Sequence, residues 1–338
     1  MKKLTPDTWN RPRLRTLLEA MSGKRVLVLG DIGVDLYTTG QVERISPEAP
    51  VPIVQVESER LKLGLAANVA DNIRALGGVP LLVGVVGMDR GAEDFRRILS
   101  ERGISETGLI EDPSRRTALK QRLVSESQQL LRVDYETTTP IATAVAERVR
   151  ERALTLLKGV DAVIVEDYAK GLLSEALVGT VLGEARRLGI RSFSDPSGRL
   201  PASFYRGSDV LTPNRREAEY LSRRSFSLDD PQSIQQAGHA VIEMCELQDL
   251  VLTLGRDGMV LLHRDREDFT WIPTHAREVF DVSGAGDTVI SVLALAQAAG
   301  ASLEEAAVLG NIAAGIEVAK WGTATVAPDE IDAVIRPD

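Results

Sequence analysis

Cysteine is almost absent from this sequence of 338 residues, and histidine and aromatic residues are scarce. The single cysteine, Cys245, excludes an intrachain disulfide, and the three histidines lie too far apart along the chain to predict a histidine-rich metal site. No apolar run approaches the roughly 20 residues that a helix needs to span a bilayer. These absences exclude a disulfide-stabilised secreted scaffold and a membrane-spanning helix, and they fit a reducing compartment.

An excess of positive charge is also missing, since the formal net charge is -9 at pH 7. A nucleic-acid or anionic-membrane surface would need clustered lysine and arginine, so neither partner is expected. The N-terminal segment has basic residues but no apolar core of the length that a signal peptide requires. We therefore expect a cytoplasmic protein that acts on small molecules.

Short apolar runs alternate with amphipathic stretches along most of the chain. The runs are β-branched and strand-sized, as in buried parallel strands, and they cover 25–30, 80–87, 160–166, 190–195 and 250–255. Apolar residues recur at helical spacing within 66–76, 142–157 and 177–188. This alternation predicts the α/β class, with a mostly parallel central sheet flanked by helices.

Two stretches, 36–63 and 117–135, break this rhythm because both indicate extended strands without a crossover helix. We expect them to pair in a small β-sheet that lies over the ends of the main strands as a lid. The predicted organisation is an N-terminal extension, 1–23, followed by one domain, 24–338, that carries these lid segments.

The segment DVSGAGD, Asp281 to Asp287, follows a strand-like run and precedes a long apolar helix. Gly284 and Gly286 allow backbone conformations in which successive N–H groups converge on an anion, and a helix N-terminus adds the positive end of its dipole. Asp287 would then accept the proton of an attacking hydroxyl beside a transferring phosphoryl group. Taken alone, the motif fits equally well a plain turn in which Asp287 only caps the helix.

DVSGAGD before an apolar helix resembles the C-terminal signature of the PfkB/ribokinase family of sugar kinases, and the resemblance covers the chain from Lys24 onward. Within the family, the similarity is greatest to the heptose-7-phosphate kinases of lipopolysaccharide-core synthesis, in the segments RISPEAPVPIVQV, QQLLRVDYE, EDYAKG, LTPNRREAE and VFDVSGAGDTVI. The resemblance implies a ribokinase-like fold, ATP as co-substrate with Mg²⁺, and transfer of phosphate to the anomeric C1 hydroxyl of D-glycero-D-manno-heptose 7-phosphate. It also implies Asp287 as the catalytic base, with Gly284, Ala285 and Gly286 forming the anion hole.

The resemblance further implies which residues bind the sugar phosphate: Asp35, Gly64, Asn68, Lys120, Gln128, Gln129, Arg132, Asp167 and Lys170. Each has an ordinary structural alternative, such as a turn aspartate, a helix cap or a solvated strand face. The chain departs from the family pattern at two positions. Leu65 stands where the signature has its second glycine, and Ser197 stands where heptose kinases usually have lysine.

On the nucleotide side the resemblance implies Asn214, Arg215, Arg216, Glu217, Thr253, Gly255, Gly258 and Asn311. Asn214 and Glu217 match an N-x-x-E motif that organises Mg²⁺, with Glu217 acting through water, and their spacing is equally that of a helix capping box. Asp281 and Ser283 match positions that bind a monovalent cation such as K⁺ in some members.

Two other functions stay open at this point. A kinase of the same fold could act on another sugar, sugar phosphate or nucleoside, and a non-catalytic protein could keep the fold and only bind a sugar or nucleotide. Because unpaired strand edges on a lid favour association, we also expect a homodimer formed through the lid.

Overall fold

The computed structural model of the chain describes residues 2–125, 128–276 and 279–336. Its strands are β1 (Lys2–Lys3), β2 (Arg25–Gly30), β3 (Ile32–Ile45), β4 (Pro52–Leu65), β5 (Val79–Val86), β6 (Leu109–Glu111), β7 (Ala118–Ser125), β8 (Gln128–Tyr135), β9 (Ala162–Glu166), β10 (Arg191–Asp195), β11 (Val210–Leu211), β12 (Asp249–Thr253), β13 (Met259–His263) and β14 (Phe269–Ile272). Its α-helices are α1 (Arg11–Ala20), α2 (Ala66–Ala75), α3 (Arg90–Arg102), α4 (Thr143–Leu157), α5 (Glu175–Leu188), α6 (Arg215–Ser222), α7 (Pro231–Cys245), α8 (Ala285–Ala298), α9 (Leu303–Glu317) and α10 (Pro328–Ile335).

The larger sheet has the strand order β1-β14-β13-β12-β11-β10-β9-β2-β5-β6. Its strands run parallel from β12 through β6, and β13 pairs antiparallel with both β12 and β14. The predicted mostly parallel sheet is therefore confirmed.

Helices cover both faces of this sheet, as the continuous apolar runs predicted. In the central strand β2, Val26 and Val28 pack in a core with residues of α2 and α8, while Leu27 and Leu29 pack in another with residues of α4 and α5. A strand that is buried on both faces needs apolar residues at every position rather than at alternate ones. The layered α/β architecture follows from this pattern.

The two predicted extended stretches form a separate sheet, which we call the small sheet, with the order β4-β3-β7-β8. β3 pairs antiparallel with β4 and parallel with β7, so segments that are distant in sequence do meet. β3 follows β2 after one residue, Asp31, and its first residues are buried while residues 41–45 are exposed. The small sheet thus extends outward from the carboxyl end of a central strand.

The residues before Lys24 contribute to the main domain. β1 adds a parallel strand to the edge at β14, and Leu14 and Leu17 of α1 are buried in the largest hydrophobic core. No helix among the described ranges has both the length and the apolar character to cross a membrane.

Candidate active site

The first turn of α8 places Asp287 at the carboxyl edge of the main sheet. The helix begins at Ala285 rather than after Asp287, so the carboxylate lies inside the first turn. Gly284 is the N-cap residue with a φ of 100°, where a side chain would be strained, and a Cβ there would lie 3.2 Å from Asn68 Nδ2 and from Glu317 Oε1. Glycine at this position therefore lets the backbone pack closely beside Asp287.

The Asp287 carboxylate is held at both oxygens. Asn68 Nδ2 donates to Oδ2 at 2.6 Å, and the Tyr168 hydroxyl donates to Oδ1 at 2.9 Å. Burial raises the pKa of Asp287 to about 6, although both hydrogen bonds favour the ionised form. A carboxylate whose pKa is raised toward neutrality is suited to accept the proton of a hydroxyl group.

Two further carboxylates lie beside Asp287. Oxygen atoms of Glu166, Asp195 and Asp287 are all within 4.8 Å of one another. Burial raises the pKa of Glu166 and of Asp195 well above the ordinary range, and nearby carboxylates raise both further. The Thr212 hydroxyl donates to Asp195 at 2.6 Å, whereas Glu166 Oε2 is buried without a hydrogen-bond partner. Closely spaced carboxylate oxygens of this kind fit a hard divalent cation.

Of the residues predicted to bind the sugar, Asn68 donates to Asp287, and the charges of Asp35 and Lys120 act on the pKa of Asp287. A Cβ at Gly64 would lie 2.9 Å from Asp35 Oδ2, so glycine keeps this position open. The Lys120 ammonium lies 5.3 Å from the centre of the Tyr168 ring. The small sheet therefore brings cationic and polar groups over the base.

Arg122 lies two residues after Lys120 on β7, so the alternation of side chains along a strand places both on the same face. Its guanidinium donates to Asp35 Oδ1 at 2.6 Å and lies 5.2 Å from the centre of the Tyr37 ring. A cavity of about 390 Å³ is lined by Arg122, Tyr37 and Gln129 from the small sheet and by residues 279–281, 283 and Trp321 from the main domain. The predicted residue Gln129 thus faces this space.

Other residues predicted for the sugar side are engaged elsewhere. Arg132 pairs with Asp134 at 2.9 Å and its side chain is half exposed, and Gln128 is exposed. Lys170 Nζ donates to Glu136 at 2.6 Å. The structure does not bring these three groups onto Asp287.

Asp167 is buried and fully hydrogen-bonded. It accepts from the Tyr205 and Ser197 hydroxyls, each at 2.6 Å, and from Ala169 N–H at 2.8 Å. Ser197, one of the two departures from the family pattern, therefore ties down the loop that carries Asp167. The carboxylate fixes the loop between β9 and α5.

Leu65, the other departure, adopts a φ of 58° and a ψ of -142°, a region that favours glycine. Its side chain is only 4% exposed and belongs to the core. The chain therefore keeps the backbone geometry of a glycine at the junction of β4 and α2 while burying a leucine there.

On the nucleotide side, Asn214 caps α6 in the capping box that the spacing predicted. Glu217 N–H donates to Asn214 Oδ1 at 3.1 Å, and Asn214 N–H donates to Glu217 Oε2 at 2.8 Å. Burial raises the pKa of Glu217 to about 7, with the Asn214 contacts opposing the shift. Thr253 pairs with Asn214 through a parallel bridge, which places the two predicted residues together.

The remaining predicted nucleotide and cation residues are more dispersed. Gly255 and Gly258 form the turn between β12 and β13, both at positive φ. Arg215 lies 5.2 Å from the centre of the Phe226 ring and donates to its carbonyl, and Arg216 is exposed. Two others are held by backbone contacts, since Asn311 donates to Pro273 O at 2.7 Å and Asp281 accepts from Ser283 N–H at 2.9 Å.

Sequence reasoning missed Tyr168, Glu166 and Asp195 as site residues. Glu166 and Asp195 are the last residues of the neighbouring strands β9 and β10 and lie directly opposite each other. The signal was available, because a polar residue that ends a buried run falls at the carboxyl edge where α/β sheets bind ligands. Tyr168 carried no such signal.

A family model described as pfkB family carbohydrate kinase matches residues 24–330. The chain belongs to the pfkB family of carbohydrate kinases. It is therefore a phosphotransferase that acts on a sugar alcohol group.

Among its relatives in this family are proteins named bifunctional protein HldE. The one from Citrifermentans bemidjiense is 42% identical over 325 residues, which cover 96% of this chain and 66% of the relative. The one from Geobacter sulfurreducens is 41% identical over 95% of this chain and 65% of its own length. The chain thus spans slightly less than two thirds of the curated relatives it matches.

Solved structures of pfkB-type kinases share the fold. Arabidopsis thaliana ribokinase, solved in complex with ribose and ATP, aligns with a TM-score of 0.74 at 17% identity, covering 94% of this chain and all of the ribokinase chain. Escherichia coli phosphofructokinase-2, solved in complex with potassium, aligns with a TM-score of 0.76 at 18% identity, covering 92% and 98% of the two chains. At these identities the likeness supports the ribokinase-like fold.

Proposed function

We propose that this chain uses ATP to phosphorylate the C1 hydroxyl of D-glycero-D-manno-heptose 7-phosphate. The observation that supports a phosphorylated sugar is the charge on the face of the small sheet that carries Asp35 and Lys120. The choice of heptose rests on the sequence segments that resemble heptose-7-phosphate kinases, and the 42% identity to an HldE protein supports it.

The register of the small sheet defines that face. Tyr37 lies opposite Arg60 and beside Arg122, and Arg122 lies opposite Arg132. Directly opposite residues on paired strands point to the same side of a sheet. By the same pairing, Lys62 and Lys120 flank Asp35.

The carboxylates on this face are Asp35 and Asp134, which pair with Arg122 and Arg132, and the cationic side chains outnumber them. A phosphate group carried by the sugar would find arginine side chains suited to bidentate contacts and a lysine ammonium. The charge of the Lys120 ammonium also lowers the pKa of Asp287. A phosphate group would gain more from these cations than a neutral hydroxyl would, because hydrogen bonds between charged groups are stronger.

In the proposed reaction, Asp287 accepts the proton of the attacking C1 hydroxyl, and Asn68 and Asp35 orient the sugar. Backbone N–H groups of Gly284, Ala285 and Gly286 face the transferring phosphoryl group, because the first turn of a helix leaves its N–H groups without intrahelical partners. The other predicted nucleotide residues would hold ATP on the adjoining edge.

Mg²⁺ fits the carboxylates beside Asp287. Glu166 and Asp195 would hold the ion, with Glu217 acting through water, since Mg²⁺ commonly keeps several waters. Glu166 Oε2, which is buried without a partner, is the oxygen that such an ion would satisfy. Bound there with ATP, the ion would neutralise charge on the phosphates.

A coupled ADP-release assay tests the proposal. The panel contains D-glycero-D-manno-heptose 7-phosphate, the same heptose without phosphate, fructose 6-phosphate, ribose and adenosine, each with Mg-ATP. We expect turnover of the heptose 7-phosphate, with kcat/KM for the unphosphorylated heptose at least tenfold lower, since one charge-assisted contact is worth about 1.4 kcal/mol or more.

Turnover of another compound at higher kcat/KM would refute the heptose assignment and leave the kinase chemistry intact. Equal kcat/KM for the two heptoses would refute a phosphate-binding role of the small sheet. If no compound in the panel were phosphorylated, the result would favour a non-catalytic protein that only binds a sugar or nucleotide.

A further inference from the structure

We infer that Tyr168 is a positioning residue for the base, holding the Asp287 carboxylate in its reactive orientation. The inference rests on the proposed role of Asp287 and adds a residue to it. The Tyr168 hydroxyl donates to Oδ1 of Asp287 at 2.9 Å, and Asn68 donates to the other carboxylate oxygen, Oδ2.

A carboxylate with a donor on only one oxygen can turn about its last side-chain torsion, which is a broad one. Donors on both oxygens restrict that rotation. The attacking hydroxyl can still donate to the same carboxylate, because each oxygen offers two lone-pair positions. Tyr168 and Asn68 together therefore fix the plane of the base without blocking the substrate.

The loop that carries Tyr168 is itself fixed. Asp167, the preceding residue, accepts from Ser197, Tyr205 and Ala169 N–H. Two residues further on, Lys170 N–H donates to buried Asp31 at 2.9 Å. A side chain on such a loop can position the carboxylate that it contacts, because hydrogen bonds on either side hold its own backbone.

Tyr168 also lies against a residue of the small sheet. The Lys120 ammonium over its ring comes from the small sheet. Tyr168 thus contacts both the base and the sheet that would cover the sugar.

The test compares Tyr168→Phe with Tyr220→Phe, each with and without Asp287→Asn. Tyr220 is the control, because its hydroxyl donates to the backbone carbonyl of Arg199 at 3.3 Å and to no carboxylate of the site. Loss of one hydrogen bond to a charged group corresponds to about 10- to 100-fold in rate. We expect Tyr168→Phe to lower kcat by that factor with KM for sugar changed less than threefold, and Tyr220→Phe to leave kcat within threefold.

The double variant decides whether Tyr168 acts through the base. In the Asp287→Asn background, Tyr168→Phe should change the residual kcat by less than twofold, because the group it positions is gone. A full 10-fold loss in that background, or a change in KM alone, would overturn the inference and indicate direct contact with the sugar. Unchanged kcat in Tyr168→Phe would also overturn the inference. If instead the proposed role of Asp287 were wrong, Asp287→Asn would keep wild-type kcat.

Discussion

Replacing Asp287 with asparagine should remove activity and, at alkaline pH, increase stability. The first effect follows from loss of the general base, which contributes about 10²- to 10⁴-fold to kcat. The second follows from burial, because the carboxylate is only 9% exposed and its pKa is raised to about 6. An ionised group that is less favourable in the folded than in the unfolded state lowers the free energy of unfolding.

The sign and size follow from the two pKa values. Aspartate in the unfolded chain has a pKa of about 3.9. A pKa of about 6 in the folded protein therefore lowers the free energy of unfolding by about 3 kcal/mol once the group is ionised in both states. The neutral amide gives weaker hydrogen bonds to Tyr168 and Asn68, which offsets about 1 kcal/mol or more. We expect a net gain of about 1 to 2 kcal/mol at pH 8, which shrinks as pH falls from 6 toward 4.

Urea unfolding at pH 8 and pH 5, in chelator, measures the stability, and ADP release measures kcat. The control is Asp112→Asn. This buried carboxylate follows β6, and although burial raises its pKa, the hydrogen bonds from Ser114 and the charges of Arg115 and Arg148 lower it overall. Its amide variant should therefore lose stability at pH 8 and keep kcat. Wild-type kcat in Asp287→Asn would refute its role as the base, and lower stability of that variant at pH 8 would refute the burial argument.

Two further predictions concern the small sheet and its junction with the main domain. Leu65→Gly should be more stable than Leu65→Ala in urea unfolding, by about 1 kcal/mol. The reason is that alanine at a φ of 58° is strained, whereas at an ordinary φ glycine lowers the free energy of unfolding by about that much relative to alanine. Equal or reversed stabilities would contradict the strain. In sedimentation, Leu131→Glu should convert a dimer to a monomer, because this leucine is 53% exposed on β8 of the small sheet. The control Leu188→Glu, at a leucine that is 37% exposed on α5, should remain a dimer. A monomeric wild-type protein at micromolar concentration would refute association through the small sheet.

The sequence predicted the layers of the fold well because burial sets the period of apolar residues. The run at 25–30 became a strand with both faces covered, and 66–76 became a helix over it. The start of one helix was predicted less well, because the DVSGAGD motif was expected to precede it. The helix after DVSGAGD begins at Ala285 because Gly284 at positive φ serves as its N-cap, and backbone dihedrals leave no trace in an apolar pattern.

The candidate site could be predicted only in part for a similar reason. Asp287 and its glycines are contiguous, so a motif shows them. The contact between Tyr168 and Asp287 joins residues that are 119 positions apart. Arg132, which the family resemblance implied as a phosphate ligand, instead pairs with Asp134. Such contacts depend on which loop meets which strand end, and that depends on tertiary packing.

The placement of buried carboxylates is itself an argument for function. Glu166, Asp195 and Asp287 meet at one edge of the sheet, and burial raises the pKa of each. Glu317, fully buried beside Gly284, has its pKa raised to about 8, again mainly by burial. Apolar groups in these positions would give a more stable fold, because burying a carboxyl group costs free energy whether it stays ionised or takes up a proton. The cost is concentrated at the carboxyl edge of the sheet beside Asp287, and a cation bound there would offset it.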